Sequence, residues 1–180
     1  MKEIETQRLR LRLWTKEDAK ELFAYATSPN VGPSAGWKPH ENIEESQKII
    51  EQLFLQNDVW AVTLKESGKI VGSIGIEFDK RRPGVSSKEL GYSLSEQYWG
   101  KGIMTEAAKA VIDFGFSKLG LEVIAACTGP QNARSQRVIE KCGFVYEGTE
   151  RRTFKIYDGT IRDSKCYSLL REEWEKRENL

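Results

Sequence analysis

The chain has 180 residues, 39% of them hydrophobic, a size that suits one domain with a sizeable core and makes a second domain improbable. Its 28 basic and 27 acidic residues leave a net charge of +1, so it has no global attraction to nucleic acid or to an anionic membrane. The start Met1-Lys2-Glu3-Ile4-Glu5 has no apolar leader, no run approaches a membrane span, and Cys127, Cys142 and Cys166 are too scattered for a disulfide framework or a zinc site; the expectation is a soluble cytoplasmic protein with reduced thiols.

Leu9, Leu11 and Leu13 alternate with Arg8, Arg10 and Arg12, a period-two pattern that predicts a half-buried first strand. Strict alternation in a neutral chain makes these arginines a solvated strand face rather than a nucleic-acid surface. Thr15 with Asp18 forms a capping signal, and Ala19, Leu22, Phe23 and Ala26 follow at helical spacing until Ser28-Pro29-Asn30. Val31 to His40 is rich in proline and glycine and predicts a loop. Asn42 and Glu45 then open a second helix carrying Ile43, Ile49, Ile50, Leu53 and Phe54. Trp60 to Leu64 and Ile70 to Phe78 form a hairpin turning at Ser67-Gly68, followed by a polar loop from Asp79 to Ser87. Glu89 to Leu94 is the next strand, and it runs directly into Gln97-Tyr98-Trp99-Gly100-Lys101-Gly102 and a helix with apolar positions at Ala107, Ala110, Val111 and Phe114. Leu121 to Cys127 is a β-branched-rich strand, Asn132 starts a short helix, and Gly143 lies just past its end. Strands Phe144 to Arg152 and Ile161 to Leu169, linked through Asp158-Gly159, and a charged helix close a mixed α/β layer structure.

The glycine-rich stretch is the leading candidate for chemistry, with a helix entered through a Gly-rich turn as its alternative. Gly100 and Gly102 lack Cβ, so the backbone can turn tightly and bring several N–H groups to a ligand at the positive end of the following helix, a cradle that suits a pyrophosphate. A dinucleotide fingerprint would want Gly or Ala at Thr105, and a Walker loop would want Ser or Thr in place of Gly102. Asp113-Phe114-Gly115 spells the kinase magnesium motif, but it lies inside a predicted helix without the motifs that accompany it, and it is read as coincidence.

The QxxGxG spacing resembles the acetyl-CoA pyrophosphate loop of the GNAT acetyltransferases, and the order strand, loop, helix, strand, Asn132-Ala133-Arg134-Ser135 and Glu140-Lys141-Cys142-Gly143-Phe144 extends the resemblance. Within that superfamily Thr6-Gln7-Arg8-Leu9-Arg10-Leu11-Arg12, Trp37-Lys38-Pro39-His40, Glu89-Leu90-Gly91-Tyr92, Tyr167-Ser168-Leu169-Leu170 and Glu173-Trp174 resemble the Rim-type ribosomal-protein N-acetyltransferases, over nearly the whole chain. The resemblance implies a GNAT fold: a mixed, mostly antiparallel central sheet with helices on both faces, whose strands Glu89 to Leu94 and Leu121 to Cys127 splay apart around the pantetheine arm. It implies that Leu94, Gln97, Trp99, Gly100, Lys101, Gly102 and Ile103 hold acetyl-CoA, that Asn132 hydrogen-bonds the pantetheine, and that Ser135 lies near its sulfur. Helix capping alone explains Asn132 and Ser135 equally. Arg134, Arg137 and Lys101 are the basic group suited to the 3′-phosphate.

Many GNATs place a tyrosine four residues before the Gly-Phe pair as acid for the departing thiolate; this chain has Ile139 there, and Ser135 is the replacement candidate. The CoA thiol has a pKa near that of cysteine, about 8.5, and needs little help to leave. Neutralising an α-amine of pKa about 7.8 at pH 7 costs roughly 1 kcal/mol, against roughly 4.6 kcal/mol for a lysine. An N-terminal acceptor therefore tolerates a weak base. By resemblance Glu89 relays that proton, directly or through water, with Glu77 in reserve; the alternative for Glu89 is a surface strand residue. Trp37 and His40 are candidates for the acceptor groove, with core packing for Trp37 and plain solvation for His40 as their alternatives. The reading is a metal-free acetyltransferase acting by direct attack in a ternary complex, as a monomer or homodimer. Its acceptor is a protein N-terminal α-amine, that of a ribosomal protein among the candidates, or else a small amine such as an antibiotic, polyamine or amino acid. The rival reading is a noncatalytic acyl-CoA-binding module.

Overall fold

The strand expected first realises its pattern over Leu9 and Leu11, which are fully buried, but Leu13 is exposed and a two-residue strand precedes it; Arg8, Arg10 and Arg12 pair with Glu106, Glu3 and Asp18. In this computed structural model, which describes residues 2–178, the strands are β1 (Ile4–Glu5), β2 (Leu9–Leu13), β3 (Val59–Leu64), β4 (Ile70–Phe78), β5 (Ser87–Leu94), β6 (Val123–Thr128), β7 (Val145–Lys155) and β8 (Ile161–Leu170). They form a single 8-stranded sheet in the order β1-β2-β3-β4-β5-β6-β8-β7. β5 and β6 are its parallel pair, joined through the long helix α4 (Ile103–Lys118) as a crossover. The other described pairings are antiparallel.

Helices cover both faces. Trp60 and Val62 of β3 pack with Ala107, Val111 and Phe116 of α4, whereas Val59 and Ala61 face Leu22 and Tyr25 of α1 (Ala19–Ala26). Burial on both sides explains why β3 reads as a continuous apolar run rather than an alternating one. The Asp113 carboxylate accepts the Trp174 indole N–H at 2.7 Å, which gives the Asp-Phe-Gly triplet a packing role between α4 and the terminal helix.

Two expectations are corrected. The Val31 to His40 loop contains a helical turn, α2 (Gly32–Ala35), because Pro33 sits where a helix start tolerates proline and Gly36 ends it at φ 96°. The residues that signal a loop here serve as helix start and stop. The second helix, α3 (Ile43–Ile49), is capped by Asn42 Oδ1 accepting from Glu45 N–H at 2.8 Å, and it runs on into a π-helical turn over Ile50–Phe54. The remaining helices are α5 (Ala133–Lys141) and α6 (Arg171–Glu178). No helix among the described residues is long and apolar enough to cross a membrane.

Candidate active site

β5 and β6 pair from Ser87↔Val123 to Leu90↔Ala126 and then part. Each keeps its other neighbour beyond that point, β5 to Leu94↔Gly72 and β6 to Thr128↔Lys165, so the sheet opens between them. Tyr92, Ser93 and Leu94 line the resulting cleft, of about 330 Å³, together with Asn132 at the N-cap of α5 and Ser135 and Val138 within it.

The glycine loop closes one end of this cleft. Gly100 and Gly102 adopt φ of 75° and 74°, and Gly102 occupies the N-cap of α4 without a side-chain cap, which leaves the first-turn amides available to an anion. A Cβ at Gly100 would meet nothing within 4 Å, and one at Gly102 only Arg8 Nη2 at 3.5 Å; the space that glycine leaves open lies beside the backbone. Three contacts hold the loop in place: Arg8 Nη1 donates to Lys101 O at 3.0 Å, the Trp99 indole donates to Leu94 O at 2.8 Å, and the Arg134 guanidinium stacks 4.2 Å over the Trp99 ring.

Midway along the cleft the Tyr92 hydroxyl lies 2.8 Å from Ser135 Oγ and 3.1 Å from Ser135 O. Burial pushes the Tyr92 pKa up, so its proton is retained at neutral pH and is available as a hydrogen bond. Asn132 caps α5 by accepting from Ser135 N–H at 3.1 Å, and its side-chain amide donates to Ser34 O at 3.3 Å. On the opposite face of β5, Glu89 stands beside Glu77 in register, and Arg81 Nη2 lies 3.0 Å from Glu89 Oε2 in an ion pair rather than an aligned hydrogen bond. Burial pushes Glu89 above the ordinary carboxylate value, against the pull of Arg81.

Residues 8–145 match the family model described as an acetyltransferase (GNAT) domain. This chain belongs to the GNAT acetyltransferase family. It is 30% identical to the uncharacterized N-acetyltransferase YoaA of Bacillus subtilis, over 93% of this chain and 96% of that one. A GNAT-family acetyltransferase from Bacillus anthracis superposes with a TM-score of 0.85 at 25% identity, covering 96% of this chain and 100% of that one. The ribosomal-protein-S5-alanine acetyltransferase of Vibrio fischeri does so at 0.78 and 27%, covering 97% and 99%.

The protein is therefore an acetyltransferase, of a family that uses acetyl-CoA. Of the residues nominated from the sequence, Leu94, Trp99, Gly100, Gly102, Ile103, Asn132, Ser135 and Arg137 line the cleft; Gln97, Lys101, Glu77 and Glu89 do not. Lys101 instead lies 5.2 Å over the Tyr98 ring, and Lys141 joins Arg134 and Arg137 as the basic lining. Trp37 and His40 are not among the residues lining this cleft. Trp37 packs on Gly32, where a Cβ would come within 2.6 Å of its ring, and joins the core under α1. His40 is not solvated: it is buried with Nδ1 2.7 Å from Ser46 Oγ, and burial pushes its pKa down. Tyr92 and Lys141 are cleft residues to which sequence reasoning assigns no chemistry; the hydroxyl partner of Tyr92 is 43 positions away, a contact no local period reveals.

Proposed function

We propose that this acetyltransferase moves acetyl from acetyl-CoA to the N-terminal α-amine of a protein or peptide, by direct attack within a ternary complex. The parting of β5 and β6 carries the reading, because it leads from the uncapped N-terminus of α4 past Tyr92 and Ser135 within one continuous cleft. The first-turn amides of α4 and the basic side chains Arg134, Arg137 and Lys141 meet the phosphates. Ser135 Oγ, held by Tyr92, donates a hydrogen bond toward the thioester sulfur. The amine nitrogen, neutral when it attacks, forms the bond to the carbonyl carbon; the carbon–sulfur bond breaks and its electron pair leaves on the thiolate. Glu89, directly or through a water, takes the proton released by the amine. The relative named for ribosomal-protein-S5-alanine supports a protein acceptor, as does the roughly 3.5 kcal/mol by which an α-amine is easier to neutralise than a lysine at pH 7.

The test is thiol release from acetyl-CoA with a panel of unblocked peptides, their N-blocked counterparts, lysine-bearing peptides and small amines. Sustained turnover with unblocked peptides above the rate without acceptor is expected. Faster turnover of polyamines or aminoglycosides would replace the acceptor assignment, and acetyl-CoA binding without turnover of any amine would favour a noncatalytic acyl-CoA-binding module.

A further inference from the structure

A second cavity, of about 620 Å³, adjoins the cleft: Ser34 and Asn132 line both, and Gly129, Pro130 and Arg162 wall the second. Arg162 combines burial with the lack of a carboxylate partner. Arg8, Arg10, Arg12, Arg81, Arg82 and Arg171 each have a carboxylate within ion-pair distance. Arg134, Arg137, Arg151 and Arg152 have none that close but are exposed, whereas Arg162 is half-buried and, among the described residues, has none. The nearby Asp163 is engaged, accepting from the Arg152 N–H at 2.8 Å. The Arg162 guanidinium lies 5.1 Å from the Phe154 ring centroid, and a Cβ on Gly129 would come within 3.2 Å of its Cζ and one on Gly36 within 3.2 Å of its Nη2. Its plane is thus tightly boxed. Nε is buried without a partner, and Nη1 has only a 3.4 Å bond to Ser34 O. Such a charge is costly to bury unpaired, and a planar fork of donors suits a carboxylate.

We propose that Arg162 binds a carboxylate of the acceptor, and that this acceptor is a peptide with an acidic side chain a few residues from its N-terminus. The inference rests on the acceptor reading above. Register supplies the spacing: Glu89, Ala125 and Ser168 are aligned across β5, β6 and β8 and share one face, and alternation puts Cys166, Ser164 and Arg162 on that same face. From Ser168 to Arg162 is about 20 Å of strand at roughly 3.3 Å per residue. An amine at Glu89 and a carboxylate at Arg162 are therefore farther apart than in a free amino acid, and the span selects an acidic side chain among about the first five residues of an extended peptide.

The experiment compares peptides carrying Asp or Glu at one of positions two to five with their Asn or Gln isosteres, and with free aspartate and glutamate, on wild type, Arg162→Gln and Arg162→Lys. Acidic peptides should have a KM at least tenfold below their isosteres in wild type. Arg162→Gln should erase that preference with acetyl-CoA affinity unchanged, and Arg162→Lys should restore part of it. Should Arg162→Gln fail to fold, Gly129→Ala crowds the guanidinium at a position where φ is not left-handed and should weaken the same preference. Indifference of wild type to the acidic residue, or a preference that survives Arg162→Gln, would overturn the inference; Arg162-dependent turnover of free amino acids alone would overturn the peptide assignment. If no amine is acetylated, the acceptor reading has failed separately. Anisotropy of a labelled acidic peptide on the enzyme–CoA complex then decides: Arg162-dependent binding supports the carboxylate site, and its absence overturns it.

Discussion

Tyr92 and Ser135 meet through their hydroxyls, so their loss should be felt as a unit. Tyr92→Phe and Ser135→Ala are each expected to lower kcat about tenfold or more with acetyl-CoA affinity within about twofold, and the double variant should be little worse than the poorer single one. Steady-state kinetics beside calorimetry checks this; multiplying losses would mean two independent roles. For Glu89 the direction of its pKa sets the pH dependence. The base form is the ionised one, burial makes it harder to reach, and Arg81 favours it. Arg81→Gln should therefore move the acidic limb of kcat/KM to higher pH. The acceptor amine titrates identically in both proteins, so the difference isolates Glu89, and an unmoved limb would remove Glu89 from proton transfer. Ser135 entered by resemblance alone, and its contact with Tyr92 was not legible, because strand spacing says which face a residue shares and not what lies across the gap. Trp37 and His40, an aromatic and a histidine beside prolines, look like a binding loop, and their packing against Gly32 and Ser46 is a contact that local spacing does not reveal.

At the scale of elements, the glycine loop was legible because its requirements are local: two positive-φ positions and a helix start. Its anchoring was not. Arg8, on the approach to β2, donates to Lys101 O and pairs with Glu106 at 2.6 Å, so a residue about ninety positions upstream holds the glycine loop. Arg8→Ala should raise the KM for acetyl-CoA several-fold with kcat nearly unchanged; equal losses in both would indicate wider disturbance. Gly102→Val meets no protein backbone and should fold, at a cost of roughly 1–2 kcal/mol for a left-handed φ, but should lose acetyl-CoA binding by far more than tenfold in calorimetry. The helical turn α2 escaped notice because proline and glycine punctuate loops and helix ends alike.

Over the whole molecule, alternation in β2, the apolar run of β3 and the long α4 let the layers be read from the sequence. The parting of β5 and β6 came only by resemblance, since register between strands separated by a crossover leaves no periodic trace. That opening is the centre of the account, and hydrogen exchange followed along the full chain with and without acetyl-CoA tests it most directly. Acetyl-CoA should slow exchange at Tyr92–Leu94, Trp99–Thr105 and Asn132–Arg137, leaving the β7–β8 hairpin at its unliganded rate. Saturating acetyl-CoA that protects some other surface, with exchange at Trp99–Thr105 unchanged, would contradict it.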